Sequence, residues 1–220
     1  ESRRNMLRKL AAAGVLGAGG IAGLVRDLLA AGSIPATPGM RQVKGTVMVD
    51  GTRATVGLII KPGQTIITGA EGQAIYVIGA DAYLQHENTT VIFGDTISIA
   101  TAMRVITGKI LSVFGKGPRK IATATATIGI RGTGCYIEAE EARTYFCLCY
   151  GEAEVTPTAD AGQKETIRTS HHEHPIYINA KGDRMMAPAT VINHTDAELT
   201  MLENLVGRWP PFYGQDYKPY

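Results

Sequence analysis

The residues best equipped for chemistry lie in the second half of the chain. Cys147 and Cys149 are separated by a single residue, Cys135 stands upstream of them, and His171-His172-Glu173-His174 follows. Thiolates and imidazoles are soft or borderline donors, so Cys147 and Cys149 with His171, His172 and His174 make a candidate ligand set for a metal such as zinc. The same cysteines support a second reading. If 135–139 and 144–150 are the arms of a hairpin turning at 140–143, Cys135 comes opposite the Cys147 and Cys149 region, within reach of a disulfide to one of them. Strand side chains alternate between faces, so Cys147 and Cys149 point the same way under both readings. Haem attachment would need Cys-x-x-Cys-His, which does not occur. No cofactor is expected beyond a metal ion.

Catalytic arrangements are poorer. Ser170 beside His171 lacks the nucleophile, base and orienter geometry of a hydrolase, because adjacent residues rarely aim at one another. The glycines around Arg131 have no Lys-Ser/Thr partner and open no helix, so they do not form a phosphate loop. The chain is expected not to be an enzyme. It has 22 basic and 20 acidic residues, a formal charge of +2, and several of the basic groups sit near its start, which leaves no basic stripe for nucleic acid.

These residues must be positioned by strands. From 40 to 170, short runs rich in Val, Ile and Thr alternate with glycine-bearing turns: 42–49, 54–60, 65–68, 73–78, 90–93, 96–100, 103–114, 119–124, 135–139, 144–150 and 153–156. Such spacing without long helical periodicity predicts an all-β domain, a sandwich or a β-solenoid-like stack. A C-terminal extension, 171–220, follows. In it Thr195 and Glu198 form a capping box, Leu199, Leu202, Leu205 and Val206 make an apolar stripe, and Gly207 stops it, predicting one helix over 196–206. The last stretch carries Trp209, Phe212, Tyr213 and Tyr217 among prolines, an extended aromatic tail expected to bind a partner.

At the other end, Ser2-Arg3-Arg4-Asn5-Met6-Leu7-Arg8-Lys9 precedes an uncharged, Gly/Ala-rich run over 10–25. A basic head before an apolar core is the layout of an export signal, and the paired arginines resemble the twin-arginine type. The run would span roughly 24 Å as a helix, a little short of a ~30 Å hydrocarbon layer. Gly19 and Gly23 form a small-xxx-small pair for close packing on another membrane helix. Residues 1–31 are therefore expected to be a signal retained as an anchor helix, placing the protein in the periplasm, held at the bacterial inner membrane.

Several stretches resemble the FecR periplasmic domain: Gly45-Thr46-Val47, Ala54-Thr55-Val56-Gly57, Lys61-Pro62-Gly63, and above all Ala126-Thr127-Ile128-Gly129-Ile130-Arg131-Gly132-Thr133 with the close Gly151-Glu152-Ala153-Glu154-Val155. The resemblance covers roughly 43–156. It implies a non-catalytic, all-β FecR domain that senses or binds, here without the cytoplasmic anti-sigma domain of the sigma-factor regulators. Independently of family, Gly129, Gly132 and Gly134 flank Arg131, whose guanidinium offers five donors; Arg131 is expected to be a structural clamp. Two functions are left open by the sequence. One is an accessory subunit bound through its anchor to integral membrane protein subunits. The other is a periplasmic sensor or ligand- or metal-binding module in iron or envelope signalling.

Overall fold

The computed structural model describes residues 37–94 and 103–215. The expected anchor helix with Gly19 and Gly23, the expected strand over 96–100, and Tyr217 lie outside the described residues. Among the described residues no helix is long and apolar enough to cross a membrane.

Fifteen strands and one α-helix are described, with a single 3-10 turn at Ala161–Gln163 between β12 and β13, in the order β1 (Gly39–Lys44), β2 (Val47–Val49), β3 (Thr52–Arg53), β4 (Thr65–Thr68), β5 (Gln73–Ile78), β6 (Asp81–Gln85), β7 (Thr89–Phe93), β8 (Met103–Val113), β9 (Pro118–Ala122), β10 (Ala126–Arg131), β11 (Gly134–Ala139), β12 (Arg143–Pro157), β13 (Glu165–Thr169), β14 (Ile176–Asn179), β15 (Met186–Pro188) and α1 (Asp196–Leu205). The protein is all-β with a C-terminal helix, as expected. The strands form two layers. The first runs β1-β5-β6-β8-β11-β12-β14-β15, and the second β3-β2-β4-β7-β8-β9-β10-β12-β13. All pairs are antiparallel except β8 with β9.

Strands β8 and β12 belong to both layers. The Met103 end of β8 pairs with β7 and its Val113 end with β6 and β11. Likewise β12 pairs with β11 and β14 up to Tyr150, then with β10 and β13 from Gly151 onward. Each strand crosses over at a glycine with positive φ, Gly108 at +90° and Gly151 at +100°. A side chain at Gly151 would put Cβ 2.6 Å from Thr133 Cγ2, and one at Gly108 would run into Thr89. Conformation and space thus both require glycine at the two bends.

Burial follows from this layering. Between the sheets lies one core, to which the first sheet contributes Tyr76, Tyr83, Cys135, Ile137 and Phe146 and the second Ile66, Val91, Ile121, Ile128 and Val155. The opposite face of the first sheet carries a second core, with Ile75, Leu84, Leu111 and Tyr136 under Leu199, Leu202 and Leu205 of α1. The first sheet is therefore buried on both faces. Its strands are buried almost without a break, as in β5, β6 and β11, whereas burial in β7 and β10 alternates.

Four expectations are corrected here. The stretch 54–60 is a loop, not a strand; it bonds back to β1 through Met40 N–H to Leu58 O at 2.8 Å and Gly57 N–H to Met40 O at 2.8 Å. The domain does not stop at 170, because β14 and β15 of the extension continue the first sheet beside β12. Arg131 is no clamp: it ends β10 with its side chain exposed, and no hydrogen bond or ion pair to its guanidinium occurs among the described residues. That work is done by Asp81, which accepts from Gly115 N–H at 2.8 Å and from Arg119 Nε at 3.1 Å. Finally, the disulfide is not formed. Cys135 pairs with Leu148 and so points into the inter-sheet core, while Cys147 and Cys149 point to the α1 side, and all three thiols are free.

Candidate metal centre

On the α1 side of the first sheet, Cys147 and Cys149 stand two residues apart on β12, both fully buried. Two imidazoles close over them. His172 comes from the turn after β13 and His194 from the loop that leads into α1; each is 4% exposed. The two Sγ atoms and one ring nitrogen from each histidine all lie within 4.8 Å of one another.

Local structure explains how each histidine arrives. Glu173 accepts from Ser170 N–H at 2.8 Å and His171 N–H at 3.0 Å, which tightens the turn, and His172 N–H donates to Cys149 O at 3.0 Å. His172 takes φ +57°, an unusual conformation for a residue with a side chain, and this aims its ring back at β12. The approach to α1 is anchored on β11 and β12: Tyr145 Oη donates to Thr190 O at 2.9 Å and Asn193 Nδ2 donates to Glu138 at 2.7 Å. His194 then stacks on Tyr136 with centroids 4.6 Å apart.

The hydrogen bonds also set which ring nitrogen of each histidine faces outward as a donor. His194 Nδ1 faces Ile192 O at 2.6 Å, and a carbonyl can only accept, so Nδ1 carries the hydrogen and Nε2 keeps its lone pair. His172 Nε2 faces Asp196 Oδ1 at 3.1 Å, so Nε2 carries the hydrogen and Nδ1 the lone pair. Those two lone-pair nitrogens are 3.1 Å apart, and His172 Nδ1 is 3.4 Å from Cys147 Sγ. Two nitrogen lone pairs at that distance need a proton or a cation between them. A tetrahedral zinc site with bonds of about 2.0–2.1 Å to nitrogen and 2.3 Å to sulfur has ligand–ligand edges of about 3.3–3.8 Å; the nitrogen–nitrogen and nitrogen–sulfur distances of 3.1 and 3.4 Å are near that, and the other donor pairs lie within 4.8 Å. Each histidine also shows the outer hydrogen bond typical of a ligating imidazole, one to a carboxylate and one to a backbone carbonyl.

The thiols differ in environment. Cys147 is held well below the ordinary thiol range by its hydrogen bond with the Cys149 thiol, against the cost of burial and with the help of His172 and His194. Burial pushes Cys149 up, reinforced by its neighbour Cys147. A bound dication would favour both as thiolates.

Of the ligands expected from sequence, Cys147, Cys149 and His172 are brought together. His171 is not in the set: its Nε2 bonds Asp196 Oδ2 at 2.8 Å, so it braces the carboxylate that orients His172. His174 is exposed on the rim of a surface groove between β13 and β15. His194 and Asp196 were missed, because His194 stands 22 residues beyond His172 and nothing local marks it except its place just before the capping box. Of the tail, Phe212 is buried on its own domain, 4.7 Å from the His171 ring and 5.9 Å from Tyr150, rather than offered to a partner. Trp209 and Tyr213 are exposed, 39% and 54%, and lie against each other at 4.1 Å.

No family model matches the chain, and no curated protein matches it. Two crystal structures described as a putative anti-sigma factor from Parabacteroides distasonis align with it at 12% identity and a TM-score of 0.47. The alignment covers 57% of this chain and spans about 60% of that protein's chain.

Proposed function

We propose that this protein is a non-catalytic, exported β module of the FecR type that holds a single transition-metal ion of the zinc class. The ligands are Cys147 Sγ, Cys149 Sγ, His172 Nδ1 and His194 Nε2. The observation that carries the reading is that both imidazoles turn their N–H groups outward onto Asp196 and Ile192 and their lone pairs inward, toward two thiols. A set of four buried protein donors leaves no open position for water or substrate, which is the character of a structural site rather than a catalytic one. Export to the periplasm and anchorage at the inner membrane rest on the twin-arginine-like start of the sequence. In such an oxidising compartment, coordination would also protect Cys147 and Cys149 from oxidation.

Titration of the reduced full chain with Co(II) tests this. One equivalent is expected to give thiolate charge-transfer bands and tetrahedral visible bands, displaced by Zn(II). Cys147→Ser, Cys149→Ser and His194→Ala should each weaken or abolish them, while Cys135→Ala should leave them unchanged. Absence of the bands in the wild-type chain would end the proposal. A second reading, an accessory subunit of a membrane assembly, is favoured by the exposed Trp209 and Tyr213 pair. It requires copurification of fixed partners after mild detergent extraction, lost on Trp209→Ala/Tyr213→Ala.

A further inference from the structure

The four donors come from three separate stretches of chain. Cys147 and Cys149 sit on the sheet, His172 in the turn after β13, and His194 in the approach to α1. Resting on the metal centre proposed above, we infer that the ion is the clasp that seats α1 and the turn behind it on the first sheet. Metal occupancy thereby governs whether that apolar sheet face is covered.

Three observations carry the inference. The first is where the chain is held. From Met186 to Glu198, His194 is the one buried residue; every other position in the stretch is exposed or half-exposed. Beside the surface bonds of Thr190 and Asn193 to the sheet and the partly buried Ala189 and Ile192, the connection from β15 into α1 thus sends a single side chain fully into the interior, and that side chain is a ligand.

The second is the helix itself. It has ten residues, fewer than the roughly 12–15 at which an isolated helix becomes even marginal in water, so its persistence depends on docking. Its capping box stabilises the first turn but does not attach it to the sheet.

The third is the cost inside the docked surface. Asn204 is 1% exposed and neither polar atom of its side chain has a hydrogen-bond partner. Glu203, 3% exposed, is a buried carboxylate shared by the Tyr150 hydroxyl and Arg208 Nε; Arg208 Nη1 donates to Ala80 O at 2.8 Å, and Nη2 is left without a partner. These groups give back part of what Leu199, Leu202 and Leu205 gain by burial. An ion joining His194 to Cys147 and Cys149 adds a buried attachment at the start of α1 to the hydrogen bonds that Thr190, Asn193, Glu203 and Arg208 make. Without it, Ile75, Leu84 and Leu111 would face water.

Backbone amide hydrogen exchange on the full chain, with Zn(II) loaded and after chelation, reads this directly. Chelation is expected to speed exchange across α1 and the approach to it by at least about tenfold, with β4, β7 and β10 of the second sheet still protected, and Zn(II) is expected to restore it. His194→Ala should show the fast helix even with Zn(II) present, and His194→Cys, which returns a donor, should slow it again. If Co(II) bands appear but α1 is equally protected with and without the ion, the clasp is overturned and the metal centre stands. If chelation exposes both sheets together, the clasp is also overturned, the ion then being a determinant of the whole fold. If no Co(II) band appears, both readings fall.

Discussion

At the scale of single residues, Asp196 is the most informative position. It is the first residue of α1, it takes both His171 and His172 as partners, and its side chain stays 42% exposed. Outer hydrogen bonds of this kind set ring orientation and ligand basicity, so Asp196→Ala is expected to lower Zn(II) affinity about 10–100-fold, measured by competition with a chromophoric chelator. His171→Ala should have a smaller effect, because it acts on the same carboxylate from the far side. How much of this was legible in the sequence varies by residue. The shared face of Cys147 and Cys149 follows from strand period alone. The orientation of Cys135 was readable too: a hairpin that pairs Ala139 with Thr144 also pairs Cys135 with Leu148, and that register sends the thiol to the opposite face. His194 was not readable, because its role depends on where a loop lands, and no short-range pattern encodes that.

At the scale of elements, the two bends and the helix cap carry the clearest consequences. Gly151→Ala would force a side chain into a positive-φ position and onto Thr133, so it should destabilise the domain by several kcal/mol in denaturant unfolding, the range of severe single substitutions. Thr195→Ala removes the cap that accepts from Glu198 N–H and should cost about 1 kcal/mol, with exchange at the first turn of α1 rising before exchange elsewhere. The helix and most strands were legible because capping and alternation are local signals. The stretch 54–60 was misread because Ala54, Val56 and Leu58 alternate with other residues as a strand would. Val56 is in fact 54% exposed and the loop folds back on β1. Strand β6 was missed for the opposite reason. It includes Asp81 and Gln85, polar residues buried only because Arg119 and Tyr76 meet them from elsewhere in the fold.

At the scale of the whole molecule, the first sheet with its two covered faces is where the proposed metal would act. Binding to the folded state alone raises stability by about 2.7 kcal/mol when free ion is a hundredfold above its dissociation constant, so the melting temperature should climb with added Zn(II) and stop climbing in the Cys149→Ser variant. The aromatic corner adjoins the same region through Phe212, which lies 6.2 Å from the His172 ring and next in sequence to Tyr213. The strands that cross between layers have a further effect. Because β8 and β12 are continuous backbone through both sheets, the layers are stitched by the polypeptide itself, and neither can slide or part from the other without breaking ladders on both sides. A module so sewn stays closed with every thiol reduced, and any message it relays must leave from its outer surfaces rather than through a hinge at its centre.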